Sequence, residues 1–292
     1  MSYAVIIPSY NRPDMLKRAL ASIYAQTVLP SQICLTIDEP EDGDRYEFLS
    51  DYDDALQVTY TGGGFGGAKA RNVGLDQVGD VDYVFFLDDD DEWLPEKIEK
   101  QIELLERRPN AAGVTCDCYR CIGDSRSVIS RDEAKINRYV KLWNFTGGFS
   151  CFGVRWKGIL REMRLRDELA SAQDFEYYIR IVEVGQIGVC SVPLLLFHMH
   201  PGMRISGDRI KKRASFREIL KINPNRFNFR ERLFNQAKGD LLCAPDLDRI
   251  FDALVMYLNG TLQLLSSFQL FAVSKSLWIN CSRGLLARFI RR

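Results

Sequence analysis

The chain has 292 residues, of which 46% are hydrophobic and 27% are charged, and its formal net charge is zero. This length suffices for one large globular domain, or for one domain with an appended segment. A balanced charge gives no global field that would attract nucleic acid, so we expect no nucleic-acid partner. The N-terminus lacks the pattern of a secretory signal, and the eight cysteines are scattered. We therefore expect a cytosolic protein with free thiols.

Strands and helices alternate over the first 120 residues. Apolar runs predict strands at 4–7, 33–37, 56–60, 83–87 and 112–119. Helical periodicity predicts helices that begin near Pro13, near Ala68 and at Pro95. This alternation predicts an α/β fold with a mostly parallel sheet and helices on both of its faces. Ligands of such sheets bind beyond the carboxyl ends of the strands.

Three polar features follow the predicted strands. Asp38 ends the second strand, a glycine-rich loop at 62–67 follows the third, and four aspartates, Asp88 to Asp91, follow the fourth. Two carboxylates about 5 Å apart repel by roughly 3 kcal/mol at an effective dielectric of 20, which a hard cation such as Mg²⁺ or Mn²⁺ would offset. The run alone is equally typical of a solvated acidic turn that caps the next helix. The position of all three features at strand ends favours a binding site.

The second half of the chain is less regular. We predict a helix at 172–184 and an extended segment at 189–199, with helices from Ile210 onward. Residues 253–274 carry no charge, but polar residues near their middle favour packed or amphipathic helices over a membrane span. Ten basic and three acidic residues lie between Arg204 and Arg232, and the last ten residues contain four arginines. Such a basic segment suits an anionic membrane surface, although a solvated basic tail has the same composition.

Several motifs occur in the order and spacing of a known family. They are Pro8-Ser9-Tyr10-Asn11-Arg12, Asp38, Ala70-Arg71-Asn72-x-Gly74, Leu87-Asp88-Asp89-Asp90-Asp91-x-Trp93-Leu94-Pro95, Gln173-Asp174-Phe175-Glu176 and His198-x-His200-Pro201-Gly202. Together they resemble the family-2 glycosyltransferases with the GT-A fold, over about residues 3–206. The resemblance implies a GT-A nucleotide-sugar transferase domain at 1–206, followed by a helical, basic extension at 207–292. It also implies an inverting transfer of a sugar from a nucleotide diphosphate.

The resemblance assigns most of these polar residues to the donor. The residues expected to bind the nucleotide are Pro8, Ser9, Tyr10, Arg12, Asp38, Lys69, Arg71, Asp88 and Asp89. Asp38 would accept a hydrogen bond from a uracil N–H, Tyr10 would stack on the base, and Asp89 would contact the ribose. Lys69 and Arg71 would offset phosphate charge. Surface ion pairs with the acidic segment 38–54 are the alternative for these two residues.

The roles of metal ligand and catalytic base are assigned to residues of the remaining motifs. The resemblance implies a metal site, for Mn²⁺ or Mg²⁺, at Asp90 and Asp88, and it favours His200 near the metal or the diphosphate. Which two of the four aspartates touch the ion stays open, because all four positions carry the same residue. The alternative for Asp91 is to cap the following helix. An inverting transfer needs one carboxylate to take the proton of the acceptor hydroxyl, and we assign that role to Asp174. A helix N-terminal acid is the alternative for Asp174. Glu176 would point away from the site, and ordinary packing is an alternative for His198.

The sequence therefore predicts a metal-dependent glycosyltransferase that uses a nucleotide sugar, with a UDP-sugar favoured, and acts on a glycan or lipid-linked acceptor. We expect it in the cytoplasm, with peripheral contact at the inner face of the cell membrane through its basic C-terminal helices. Two alternatives are a sugar nucleotidyltransferase and an inactive scaffold on the same fold. A nucleotidyltransferase would carry a glycine-rich basic loop after its first strand, where this chain has Pro8-Ser9-Tyr10-Asn11.

Overall fold

The structure is a computed structural model that describes residues 1–41, 44–199 and 209–243. The chain divides into two compact units, Met1–Gly207 and Asp208–Arg292. The first unit contains a nine-stranded mixed sheet and its flanking helices, and the second contributes two described helices.

The strands of the first unit form one sheet. They are β1 (Tyr3–Ser9), β2 (Gln32–Ile37), β3 (Leu56–Tyr60), β4 (Tyr83–Phe86), β5 (Glu92–Trp93), β6 (Ala111–Ile122), β7 (Ser125–Ile129), β8 (Gly153–Arg155) and β9 (Gln186–His198). Their order is β3-β2-β1-β4-β8-β6-β9-β5, and β7 pairs with β6 beside this path.

Six α-helices connect these strands. They are α1 (Pro13–Tyr24), α2 (Gly66–Asp76), α3 (Lys97–Arg107), α4 (Glu133–Tyr139), α5 (Ile159–Glu162) and α6 (Gln173–Val184). Two 3₁₀ turns, Glu47–Asp51 and Phe149–Cys151, complete the first unit among the described residues.

The first half of the sheet is parallel. β1 lies between β2 and β4, and β2 pairs with β3, all in parallel register. The Asp38 N–H donates to the Ser9 carbonyl at 2.8 Å, and the Leu87 N–H donates to that of Ile6 at 3.0 Å. β1, β2 and β4 therefore end at the same edge of the sheet. At this edge Asp38 follows β2 and Asp88 follows β4.

Apolar side chains alternate between the two faces of this parallel half, as strand geometry requires. Phe85 lies in the core with α1 and α3, and its ring meets the ring of Tyr3 edge-on at 5.6 Å. Phe86 lies on the opposite face, where its ring is 6.1 Å from that of Tyr177 in α6. On that face a Cβ at Gly74 of α2 would lie 3.1 Å from Ile6 Cγ2, so glycine allows the helix to approach β1. Helices thus cover both faces of the sheet.

The second half of the sheet mixes strand directions. β8 runs antiparallel to both β4 and β6, whereas β6 and β9 are parallel. Gly153 of β8 lies opposite Phe85, and a Cβ there would overlap the Phe85 ring, so this pairing requires glycine. The predicted α/β fold, a mostly parallel sheet flanked by helices, is confirmed.

The start of α3 differs from the prediction. The helix expected to open at Pro95 is α3, which begins at Lys97, and the short strand β5 lies between it and the aspartates. β5 pairs antiparallel with β9, through Glu92 opposite Leu196. A strand of two residues, such as β5, is too short to show a periodicity in the sequence. It is recognised as a strand only through its pairing with β9.

The second unit contains α7 (Arg209–Ile222) and α8 (Phe229–Cys243). Phe216, Ile219 and Phe234 are buried, and the Lys238 ammonium lies 4.3 Å from the centre of the Phe216 ring. No helix within the described ranges has the length and apolar character needed to cross a bilayer. The uncharged segment 253–274 and the arginine-rich end lie outside the described residues.

Candidate active site

A cleft of about 890 Å³ opens at the carboxyl edge of the parallel strands. Most of the predicted site residues line it, namely Pro8, Ser9, Tyr10, Arg12, Asp38, Arg71, Asp88, Asp89, Asp90 and Asp174. Lys69 is not among the lining residues, and His200 lies outside the part of the chain that the structure describes. The cleft therefore gathers ten of the predicted residues from five separate segments.

The aspartate run divides between two environments. Carboxylate oxygens of Asp88, Asp90 and Asp91 all lie within 4.8 Å of one another. Asp89 instead accepts a hydrogen bond from Ser9 Oγ at 2.9 Å and another from Arg12 Nη1 at 3.1 Å. The turn after β4 thus directs three carboxylates to one cluster and the fourth to the β1 side of the cleft.

Asp91 was predicted to cap a helix, and that prediction is wrong. The residue is fully buried, and the cap position of α3 is Glu96, which makes no side-chain cap bond. Burial, followed by the charges of Asp90 and Asp88, raises the pKa of Asp91 well above its usual value. Three converging carboxylates, one of them buried, fit a hard divalent cation such as Mn²⁺ or Mg²⁺, because such ions prefer oxygen ligands and offset this repulsion.

Burial also raises the pKa of Asp89, to about 6. The charges of Asp90 and Asp88 act in the same direction, whereas the Arg12 guanidinium and the Ser9 hydroxyl favour the ionised form. Arg12 Nη1 also donates to Asp90 Oδ2 at 3.1 Å. One arginine therefore connects the Asp89 carboxylate with the acidic cluster.

Asp38 holds the glycine-rich loop. Its Oδ1 accepts from Thr61 Oγ1 at 2.6 Å and from the Phe65 N–H at 3.0 Å, and its Oδ2 accepts from the Gly66 N–H at 2.7 Å. Gly66 has a φ of +76°, a conformation that favours glycine. A carboxylate offers about four lone-pair sites, so Asp38 retains capacity for one more donor. Its contact with a base stays a prediction.

The two basic residues beside this loop have different surroundings. Arg71 is buried, pairs with Asp88 and donates to the Gly67 carbonyl at 3.0 Å. The Lys69 ammonium lies 3.9 Å from the centre of the Phe65 ring, on an exposed side chain. Among the described residues, neither forms an ion pair with the acidic segment 38–54. Arg71 thus orients Asp88, and a phosphate contact for either basic residue stays a prediction.

Asp174 lies in the first turn of α6, on the cleft wall. Its Oδ2 accepts from Asn144 Nδ2 at 2.7 Å, and its Oδ1 accepts from the Phe175 N–H at 2.8 Å. The preceding Ala172 has a φ of +57°, an unfavourable conformation that is common near functional sites. Glu176 is fully buried and receives hydrogen bonds from Arg180 Nε at 3.0 Å and Nη2 at 2.7 Å. Of the two acids, only Asp174 reaches the cleft.

His198 connects β9 with the aspartate run. Its backbone N–H donates to Asp91 Oδ1 at 3.2 Å, and its Nε2 lies 2.7 Å from Glu92 Oε1. The predicted metal contact of His200 stays a prediction.

A group of thiols at the cleft was not predicted. Cys116, Cys118 and Cys121 are close together in the sequence. In the structure the Cys151 thiol contacts those of Cys116 and Cys118. Arg131 Nη2 lies 3.5 Å from Cys118 Sγ and 3.8 Å from Cys151 Sγ. Hydrogen bonds from the two thiols and from Arg131 lower the pKa of Cys151. Cys151 lies more than 30 residues from Cys116 and Cys118, so local spacing carried no signal for this group.

Comparison with known proteins identifies the family. The model for glycosyl transferase family 2 matches residues 4–164, more than half of the chain. The chain belongs to glycosyl transferase family 2. This match confirms the resemblance seen in the motifs. The aspartate run and the glycine-rich loop both fall within the matched range.

Several curated glycosyltransferases are similar to the chain. The putative teichuronic acid biosynthesis glycosyltransferase TuaG of Bacillus subtilis is 35% identical over 140 residues, which cover 47% of this chain and 51% of that protein. The amylovoran biosynthesis glycosyltransferase AmsB of Erwinia amylovora is 23% identical over 243 residues, covering 76% and 78%. An uncharacterized glycosyltransferase of Haemophilus influenzae is 25% identical, and the match spans 62% of its length.

Solved structures share the fold at lower identity. S. aureus TarS in complex with UDP-GlcNAc has a TM-score of 0.63 at 18% identity, covering 89% of this chain and 79% of TarS. The mannosyltransferase PcManGT from Pyrobaculum calidifontis, in complex with GDP-Man and Mn²⁺, has a TM-score of 0.58 at 14% identity, covering 95% and 80%. At these identities the similarities show a shared fold.

Proposed function

We propose that this family-2 protein is a metal-dependent, inverting glycosyltransferase that moves a sugar from a nucleotide diphosphate to a hydroxyl group. The observation that carries the proposal is that Asp174 and the cluster of Asp88, Asp90 and Asp91 line one cleft. A base and a cation site in one cleft are the two elements that such a transfer requires.

The donor would occupy the side of the cleft that β1 and β2 provide. Tyr10 is 62% exposed, so its ring is available to stack on a base. Asp89 would accept hydrogen bonds from the ribose, and Asp38 would accept one from the base. We favour a UDP-sugar, because the Asp38 carboxylate suits the N–H of uracil and because TarS was solved with UDP-GlcNAc.

Asp88, Asp90 and Asp91 would hold Mn²⁺ or Mg²⁺, which would offset the negative charge of the departing diphosphate. Asp174 would remove the proton of the acceptor hydroxyl as it attacks the anomeric carbon. The buried ion pair between Glu176 and Arg180 would keep α6 in place without taking part in the reaction. Because the hydroxyl attacks opposite the leaving group, the anomeric configuration would invert.

The acceptor would be a glycan or a lipid-linked oligosaccharide in surface polysaccharide synthesis. Relatives named for teichuronic acid and amylovoran biosynthesis support this class, as does a relative in Escherichia coli named for a diphosphoundecaprenol-linked acceptor. A lipid-linked acceptor would place the enzyme at the inner face of the membrane. The basic composition between Arg204 and Arg232 supports such peripheral contact.

The proposal predicts release of a free nucleoside diphosphate from a nucleotide sugar. Release would be measured over a panel of UDP- and GDP-sugars with Mn²⁺, with Mg²⁺ and with a chelator. We expect activity to require the cation, and we expect Asp174→Asn to lower kcat by about 10²–10⁴-fold while nucleotide binding persists.

Asp80→Asn is the matched control, because it makes the same chemical change at an exposed surface carboxylate. Within the described part of the chain, the only ion pair of Asp80 is with Arg161 at 3.4 Å. Full activity in Asp174→Asn would refute the assigned base. Activity that survives the chelator would refute metal dependence, and an NMR spectrum showing retained anomeric configuration would refute inversion.

A further inference from the structure

The Asn144 amide is locked in one orientation beside Asp174. Its Oδ1 accepts from the backbone N–H groups of Thr146 and Gly147, both at 3.0 Å. A backbone N–H can only donate, so these two contacts require the carbonyl end of the amide to face the turn. The NH₂ end then faces Asp174, and Nδ2 donates to Asp174 Oδ2 at 2.7 Å.

The turn that holds Asn144 is itself anchored. The Thr146 carbonyl accepts from Thr115 Oγ1 of β6 at 2.8 Å, and both residues are fully buried. Gly147 has a φ of +100°, and a Cβ there would lie 2.8 Å from Cζ of Arg131. The guanidinium therefore packs directly against the glycine, and the turn is fixed from two sides. Asn144 connects this rigid turn to the first turn of α6.

We propose that Asn144 is a positioning residue, which orients the Asp174 carboxylate for proton abstraction and stabilises its ionised form. This inference rests on the proposed function, because it assumes that Asp174 is the base. An N–H that donates to a carboxylate stabilises the charged form, and a second contact from the Phe175 N–H at 2.8 Å restricts rotation of the group. A carboxylate oxygen has two lone pairs and can accept from more than one donor.

Other charged and titratable groups surround the same region. Tyr178, on the helix of Asp174, has its pKa raised by burial first and then by the nearby Asp174, Cys151 and Asp88, whereas Arg131 acts in the opposite direction. These groups come from α6, the 3₁₀ turn at 149–151, the aspartate run and the β7–α4 connection. An Asn144 variant retains all of these groups, so its difference from the wild type reports the effect of the Asn144 amide.

The test is the pH profile of donor turnover in Asn144→Ala, with water or a sugar as the acceptor. We expect kcat to fall by about 10-fold or more, KM for the donor to stay within about twofold, and the acid limb to move up by about one pH unit. Asn144→Asp should move the limb further, because a second carboxylate would then face Asp174.

Asn137→Ala is the matched control. Asn137 makes a similar set of bonds, donating to the Glu133 and Ile187 carbonyls at 3.0 and 2.9 Å and accepting from the Ile187 N–H at 2.9 Å, but it does not line the cleft. We expect this control to lose stability and to keep the wild-type pH profile. A loss of activity in Asn144→Ala with an unshifted profile, as in the control, would assign the residue a merely structural role and overturn the proposal.

A second measurement does not depend on turnover. The titration of the Asp174 carboxyl carbon can be followed by NMR in the wild type and in Asn144→Ala, both without donor. We expect its midpoint to rise by about one pH unit in the variant. Identical midpoints would overturn the inference. A shifted midpoint in a protein that turns over no donor would support the Asn144 contact and count against the proposed function instead.

Discussion

At the scale of single residues, the surroundings of Asp89 couple ligand binding to pH. Its pKa of about 6 means that it is largely ionised above pH 7 and largely protonated below pH 5. The ionised form accepts hydrogen bonds more strongly, so a ligand that donates ribose hydroxyls should prefer it. Binding of such a ligand should therefore weaken as the pH falls through about 6.

Uridine is a suitable probe of this coupling, because it carries neither a phosphate nor a need for a cation. We expect its affinity for the wild type, measured by NMR titration without divalent ions, to fall between pH 7.5 and pH 5. The Asp89→Asn variant should bind more weakly at pH 7.5 and show a flat profile. A flat profile in the wild type would contradict the ribose contact.

The residue scale is also where prediction from sequence reached its limit. Four identical aspartates offered no means to tell which side chains share a cluster, because the turn after β4 decides that. Asp174 and Glu176 could be separated, since two residues on a helix face different directions. The contacts of Asn144 with Asp174 and of Cys151 with Cys116 and Cys118 could not be predicted, because these residues lie 30 or more positions apart in the chain.

At the scale of elements, α3 begins with a buried lysine. Lys97 is fully buried, and its Nζ donates to Gln101 Oε1 at 2.6 Å and lies 4.2 Å from the centre of the Trp93 ring. Burial lowers its pKa to about 8. The folded state thus binds this proton less tightly than the unfolded state does. The free-energy cost of burying the charge therefore lowers the stability in full below pH 8. It disappears as the pH rises through the pKa that Lys97 has in the unfolded state.

Lys97→Met should therefore stabilise the protein near pH 7, by at most about 3 kcal/mol, because the pKa of Lys97 falls by about 2.5, from 10.5 to about 8. The advantage should shrink as the pH rises from 8 to 10.5. Urea unfolding of the wild type and the variant at several pH values would measure the difference. An advantage that is constant with pH would contradict the assigned cause.

The predicted elements were most accurate where burial on both faces produced long apolar runs. β1, β2 and β4 are of this kind, and their parallel pairing followed from the alternation with helices. β5 and β8 are only two and three residues long, so their sequences carry no periodicity. Their existence depends on pairing with β9, β4 and β6, and such long-range contacts are invisible in a local pattern.

At the scale of the whole molecule, acidic and basic residues are concentrated in different segments of the chain. The segment 38–54 contains nine acidic residues and one basic residue, whereas 204–232 contains ten basic and three acidic residues. The basic segment should attract anionic lipids, with about 1 kcal/mol for each basic residue near the surface. This attraction should be screened by salt.

Sedimentation with vesicles would test this expectation on the full chain. We expect binding to vesicles rich in phosphatidylglycerol at 50 mM salt, and loss of most binding at 500 mM. Vesicles of phosphatidylcholine alone provide the neutral control. Equal binding to both vesicle types, or no binding at low salt, would contradict the peripheral membrane contact.

The turn after β4 has a consequence for genetics as well as for binding. Changing each of Asp88 to Asp91 to asparagine removes the same atom type and the same charge, within one stretch of four residues. Each change nevertheless affects a different set of neighbours. Asp88 pairs with Arg71, Asp89 with Ser9 and Arg12, Asp90 with Arg12 alone of these, and Asp91 with the end of β9. Such a series is its own control, because any difference in phenotype among the four variants can arise only from position.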